Sequence, residues 1–235
     1  MKKNKPLQHV LQTIEREHLW DQVYSQMRDA LFAGKFEPGG RLVLRELADS
    51  LGTSITPVRD AVTRLVAMGV LELGVRNTAL VPDVGVETLR ELIIVRTELE
   101  GRAAREAARN ADAASVEVLR KQLAQMRKLI INKKLDAYLD LHRQFHFGIY
   151  RMARMPILYE MIERLWLRCG PALSFVIPDY VNLLKGTDHH LRVLAALSHN
   201  DPATAEVEIV SDIEGAGQYL MGLTDIDGRI RRPKA

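Results

Sequence analysis

The chain has 235 residues, 47% hydrophobic and 27% charged, with 33 Lys and Arg against 30 Asp and Glu. This length suits two globular domains, and no apolar run approaches the ~18 residues that span a membrane. A net charge of only +3 excludes a protein that grips nucleic acid by bulk charge, so any such contact depends on where individual arginines point.

Residues 1–18 are basic but lack an apolar h-region, so they do not read as a secretory signal. Leu7, Val10, Leu11 and Ile14 suggest a small helix or an arm. Leu19 to Gly34 reads as an amphipathic helix, with Trp20, Val23, Tyr24, Met27 and Leu31 on one face. Phe36 to Leu42 then forms a turn. From Val43 the residues Leu44, Leu47, Ala48 and Leu51 recur at helical spacing, and Gly52 ends the run in a left-handed position. A second short helix begins near Thr56, with Pro57 in its first turn, where its missing N–H costs nothing. Val58, Ala61, Val62 and Leu65 make its apolar face, while Arg59, Thr63 and Arg64 lie off it. This is a helix-turn-helix, whose second helix enters a DNA major groove. Val70–Leu73 and Thr78–Val81 read as two strands around the loop Gly74-Val75-Arg76-Asn77, which completes a winged helix. Arg45, Ser54, Thr56, Arg59, Arg64, Arg76 and Asn77 are the candidate DNA contacts.

Gly34, Pro38-Gly39, Leu42, Leu47-Ala48, Leu51-Gly52, Thr56-Pro57-Val58-Arg59-Asp60-Ala61, Arg64-Leu65 and Gly69 together resemble the winged-helix domain of GntR-family bacterial transcription regulators. The resemblance covers residues 19–82. Members commonly carry Arg just before the Thr-Pro pair, where this chain has Ile55, and Gly at the wing tip, where it has Asn77.

Residues 83–85 read as the end of a linker, and from Val86 to Gly222 only helical patterns appear. The expected helices are Val86–Arg109, Asp112–Lys133, Leu135–Met152, Pro156–Val176 interrupted near Gly170-Pro171, Asp188–Leu197 capped by Thr187 after a short lead-in, and Ala203–Met221. About six helices form an antiparallel bundle, so the fold class is mainly α. Cys169 is the only cysteine; it excludes an intrachain disulfide, reads as a small buried apolar side chain, and suits a reducing cytoplasm. A basic tail from residue 223, with Arg229 to Lys234, offers phosphate contacts or a free end.

His142 and His146 are four residues apart and share one helix face, beside apolar residues that face the core. Partners for two inward imidazoles are available on the last two helices in His190 and Asp212. Imidazoles and a carboxylate on facing helices can hold a transition metal, with zinc or nickel the leading candidates. Protonated histidines cannot ligate, so such binding weakens as pH falls towards ~6. His9, His18, His189 and His199 read as surface groups.

Arg96 followed by Glu100, the pair Phe145-His146, and His190 ahead of Leu197 and Asn200-Asp201 resemble the FCD ligand-binding domain of the FadR subgroup of GntR regulators. The resemblance implies a divalent metal held by an Asp and histidines. Here His142 stands where an Asp is usual and Asp212 where the last His is usual. It also implies a homodimer on a pseudo-palindromic operator in double-stranded DNA, a small carboxylate effector, and Arg96 as its anchor. The alternative for Arg96 is an ion pair with Glu100 one turn on. A metal-dependent enzyme carrying a winged helix is the alternative function, opposed by the lack of a His-Glu-x-x-His motif or of a nucleophile set beside a base.

Overall fold

In a computed structural model, residues 18–173, 175 and 185–231 are described. The sequence-predicted N-terminal arm, the lead-in at Leu183-Leu184 and the last four residues lie outside them.

The N-terminal half is built on three helices and a small sheet. α1 (His18–Phe32) is followed by β1 (Arg41–Val43), α2 (Leu44–Ser50), α3 (Ile55–Ala67), β2 (Glu72–Leu73) and β3 (Thr78–Leu80). Gly52 carries the turn between α2 and α3 at a φ of 63°, a backbone conformation that an L side chain adopts at a cost. Val58, Ala61, Val62 and Leu65 of α3 are buried against Val23, Met27 and Leu31 of α1. This apolar contact holds three helices that are each too short to stand alone.

The sheet differs from the expected two-stranded hairpin. It has three antiparallel strands in the order β1-β3-β2, with Leu42 opposite Ala79 and Leu73 opposite Ala79 on the other side. β1 was read as a turn because three residues carry no visible alternation; only the edge of β3 makes them a strand. Val70 and Leu71, expected in the first wing strand, instead close the core, because both their N–H groups go to the carbonyl of Leu65 at the end of α3. At the wing tip Arg76 and Asn77 both have left-handed backbones, with φ of 55° and 59°.

The second half is helical among the described residues up to Met221, with two isolated β-bridges beyond it: α4 (Val86–Asn110), α5 (Ala113–Ile131), α6 (Leu135–Met152), α7 (Pro156–Leu173), α8 (Lys185–Ser198) and α9 (Pro202–Met221). α4 runs through the middle and packs on α6, α7, α8 and, most extensively, α9. Asp112 caps α5 by accepting from the Ser115 N–H at 2.8 Å, and Asp201 caps α9 by accepting from the Thr204 N–H at 3.1 Å, with Pro202 next in the chain. Two expected boundaries move. α7 continues through Pro171 to Leu173, since a proline in the last turn removes a single backbone bond. α8 begins at Lys185, so Thr187 lies inside the helix and does not cap it.

The two halves touch along α1 and α7. A Cβ on Gly170 would come within 2.5 Å of the Leu31 carbonyl oxygen, so glycine is what permits the approach. Arg28 of α1 pairs with Glu163 of α7 at 3.4 Å. Part of the segment expected as a tail also folds back. Arg229 and Arg231 pair with Asp83 of the linker, and Ile230 is buried.

Candidate functional site

On the DNA-binding half, Arg45, Ser54, Thr56, Arg59, Arg64, Arg76 and Asn77 are all exposed. Arg59 of α3 donates from Nη2 to the Asn77 side-chain oxygen at 3.3 Å, which links the recognition helix to the wing. Arg64 does not point the same way. Its guanidinium carbon sits 4.0 Å from the Tyr24 ring centroid and 5.6 Å from that of Trp20, a cation–π contact that pins α3 to α1. Ile55 is half-buried and packs on the core. Ser54 is the N-cap of α3 but its side chain makes no capping bond.

In the helical half, α6 supplies His142 and His146, α8 His190 and α9 Asp212, and one ligand atom from each lies within 4.8 Å of all the others. His146 Nε2 is 3.1 Å from His142 Nε2 and 3.1 Å from His190 Nε2. Asp212 Oδ2 lies 3.4 Å from His146 Nε2 and 3.5 Å from His190 Nε2. Ligand atoms bonded to zinc at ~2.0–2.1 Å stand ~2.9 Å apart at a right angle and ~3.4 Å apart at a tetrahedral one. The four separations around His146 Nε2 and Asp212 Oδ2 fall in or next to that range.

A chain of hydrogen bonds fixes the tautomer of His146. The Tyr150 hydroxyl donates its one proton to Glu100 Oε2 at 2.5 Å, so its oxygen accepts the 3.0 Å bond from His146 Nδ1–H. Nε2 of His146 therefore carries a lone pair, aimed at two imidazole nitrogens and a carboxylate. Glu100 also accepts from Trp166 Nε1 at 2.9 Å and from Arg96 at 2.6 and 3.2 Å. A hydrogen bond to the non-ligating ring nitrogen of this kind holds a ligating imidazole in place. Sequence reasoning names Glu100 only as a partner of Arg96 and misses Tyr150 and Trp166; the spacing of His146 and Tyr150, one turn apart on one face, is the available signal.

The electrostatics agree with neutral imidazoles beside a charged carboxylate. Burial, with help from His190, pushes His142 down to about 3. Burial and the neighbouring His142 hold His146 well below the ordinary histidine value. Burial works to raise Asp212, but His190 and His146 outweigh it and keep the carboxyl below its usual range. Neutral imidazole nitrogens and an ionised carboxylate are the protonation states that ligate. At His142 and His146, competition from protons thus sits lower than the pH of ~6 expected for free imidazoles. This set of three histidines and one aspartate, buried except for the half-buried His142, can coordinate a divalent metal.

Arg96 is buried and bidentate to Glu100, with its guanidinium carbon 4.7 Å from the Trp166 ring centroid. Its charge already has a partner, as in the ion-pair alternative. His189, expected on the surface, is half-buried against Glu208 at 2.7 Å, and His199 meets the Ala195 carbonyl at 2.8 Å. Cys169 is buried, and burial raises its thiol pKa.

Residues 19–81 match the family model for bacterial regulatory proteins of the gntR family, and residues 91–214 match that for the FCD domain. The chain belongs to the GntR family. As a GntR regulator of the FCD type, it is a DNA-binding transcription regulator and not an enzyme. It is 35% identical to the HTH-type transcriptional regulator McbR of Escherichia coli (strain K12) over 184 residues, which is 77% of this chain and 82% of that one. The solved E. coli McbR/YncC structure superposes with a TM-score of 0.80 at 31% identity, covering 85% of this chain and 95% of that chain. A probable D-xylose utilization operon transcriptional repressor from Paenarthrobacter nicotinovorans is 29% identical over 78% of this chain and 82% of its own length. A GntR regulator from Rhodococcus sp. RHA1 shares the fold, with a TM-score of 0.71 at 18% identity. None of the described helices is long and apolar enough to cross a membrane.

Proposed function

We propose that this regulator holds a divalent transition metal through His142, His146, His190 and Asp212, and that a small organic acid at the metal's remaining positions alters its grip on DNA. The observation that carries the reading is the His146 lone pair, fixed by the Tyr150–Glu100 bonds and directed at three other ligating atoms. A cation lets the four atoms converge on one positive charge, for which Asp212 supplies the compensating negative charge. Imidazole nitrogen suits zinc or nickel, and availability decides between them. When bound, the metal supplies a Lewis-acid contact for a carboxylate. The chain's own part is to hold the imidazoles neutral and oriented.

The reading includes a FadR-type arrangement in the cytoplasm. A homodimer presents two α3 helices to half-sites about one DNA turn, ~34 Å, apart, which implies a pseudo-palindromic operator. Arg45, Ser54, Thr56, Arg59, Arg76 and Asn77 are its DNA-facing groups, while Arg64 acts chiefly through α1. Arg96 shapes the metal pocket by orienting Glu100 and does not itself bind the effector.

Elemental analysis of the purified protein beside a His146→Ala/His190→Ala variant tests the centre. About one equivalent of metal in the parent and none in the variant is the expected result, and equal content in both refutes it. Retention of genomic DNA fragments, with and without carboxylic acids, then tests the regulatory half.

A further inference from the structure

Since Arg96 is spent on Glu100, the arginines without a carboxylate partner lie elsewhere. Between α5 and α6 a surface cleft of about 440 Å³ is lined by Arg143, Arg151 and Arg154, with Gln122 among its residues. Arg151 donates to the Tyr159 hydroxyl at 3.3 Å, and neither it nor Arg154 makes an ion pair among the described residues. Arg143 shares Asp140 at 2.7 Å, and Asp140 is not part of the lining. Asp112 is the one carboxylate in the lining, and both its oxygens are taken by Ser115, at 2.8 and 2.9 Å. Arg151 and Arg154 thus line the cleft with no ion pair of their own among the described residues, while the one lining carboxylate, Asp112, is bonded to Ser115 and feels the charge of Arg154 from farther off.

A second observation comes from Gln122. Its side-chain oxygen is buried and has no hydrogen-bond partner among the described residues. A buried acceptor of this kind calls for a donor. The cleft also has an apolar wall in Val118, Leu119 and Phe147. None of the four residues of the histidine–aspartate cluster lines it.

We propose that this cleft is a second ligand site, which takes a small hydroxylated organic anion. The acid group lies on Arg151 and Arg154, whose planar forks match carboxylate or phosphate oxygens two at a time. A hydroxyl of the same molecule donates to Gln122 once its terminal amide turns towards the cleft, and the carbon skeleton rests on the apolar wall. The site is independent of the metal reading. It also adjoins the domain seam, since the Arg143 guanidinium carbon lies 5.1 Å from the Phe32 ring centroid in α1.

The test is calorimetric titration of the full chain at fixed ionic strength with glycerol 3-phosphate, glycerate and sulfate. The parent is expected to bind glycerol 3-phosphate or glycerate saturably, and the better of the two identifies the acid group. Arg151→Gln/Arg154→Gln, at exposed positions, weakens that binding at least tenfold while the melting curve stays that of the parent. Gln122→Leu weakens the hydroxylated probe severalfold but leaves sulfate, which has no donor, unchanged. Chelation of metal leaves the affinity as it was. The proposal is overturned by undiminished affinity in the double arginine variant, by loss of binding on chelation, or by the absence of saturable binding to either hydroxylated probe.

Discussion

Phe32 of α1 and Phe147 of α6 meet edge to face across the seam between the two halves, with ring centroids 5.7 Å apart, and Phe147 directly follows His146 in the chain. A change at the histidine cluster that shifts α6 is thus felt by the helix against which α3 packs. Phe147→Leu keeps most of the apolar bulk but removes this ring pair together with those to Tyr150, Tyr159 and Trp166, each worth ~0.5–1.5 kcal/mol. Stability is expected to fall by more than one such pair, measured by denaturant unfolding. The ratio of operator affinities between metal-loaded and metal-stripped protein should move towards one. An unchanged ratio would show that the signal crosses elsewhere, through the Arg28–Glu163 pair or the close approach of Gly170 to Leu31.

Arg96→Met separates the two readings of Arg96. Removing one partner from a buried ion pair costs ~3–5 kcal/mol, because the other charge is left behind. Glu100 keeps its bonds from Tyr150 and Trp166, which places the expected loss towards the lower end. A shifted urea midpoint at unchanged slope is the measurement. If stability holds and only the response to organic acids is lost, Arg96 is an effector anchor after all.

What the sequence discloses and what it hides follow a physical line. The turn at Gly52, the proline at residue 57 and the spacing of Val58, Ala61, Val62 and Leu65 are local signals, and they suffice to read α2 and α3. β1 is not local; three residues become a strand only when β3 lies beside them. The cluster was legible because His142 and His146 repeat at one helical turn and the helical half resembles a known domain. The Tyr150–Glu100–Trp166 bonds join α6, α4 and α7, and no spacing within one helix reveals pairing among three. Arg64 shows the same limit. Its place off the apolar face is readable, but its attraction to Tyr24 exists only once α1 is packed.

Metal-free protein is expected to lose stability on mild acidification. Burial keeps His142 at about 3 in the folded chain, while an unfolded histidine titrates near ~6.5. Below ~6.5 the unfolded state takes up protons that the folded state refuses, so the stabilisation present above ~6.5 is lost as pH falls towards 3. The slope for one such histidine approaches ~1.4 kcal/mol per pH unit, and His146, shifted in the same direction, steepens it. Urea unfolding between pH 7.5 and 5 checks the sign. Metal should raise the whole curve, since it binds the folded state alone. A His142→Ala/His146→Ala variant should show a flatter profile, and a profile as steep as the parent's would remove these two groups as the cause.

Arg59 and Asn77 give the sharpest expectation for DNA. Arg59 lies in the first turns of α3 and is exposed, so it can reach a guanine edge or a phosphate once the helix enters the groove. A bidentate base contact is worth ~1–3 kcal/mol of discrimination, and Arg59→Ala should weaken operator binding accordingly. The 3.3 Å bond from Arg59 to the Asn77 oxygen restricts where the guanidinium can go before DNA arrives. Asn77 also tolerates the left-handed backbone of the wing tip, as glycine would. Asn77→Gly therefore keeps the turn and removes only the tether. The expected result is a protein that binds random DNA as the parent does but reads the Arg59 position less strictly, because an untethered guanidinium can settle on a phosphate as easily as on a base. Selection from a randomised operator library, at a stated salt concentration, is the measurement. Identical consensus sequences for the parent and Asn77→Gly, with Arg59→Ala still weak, would mean that the groove alone orients Arg59 and that the wing serves only the phosphate backbone.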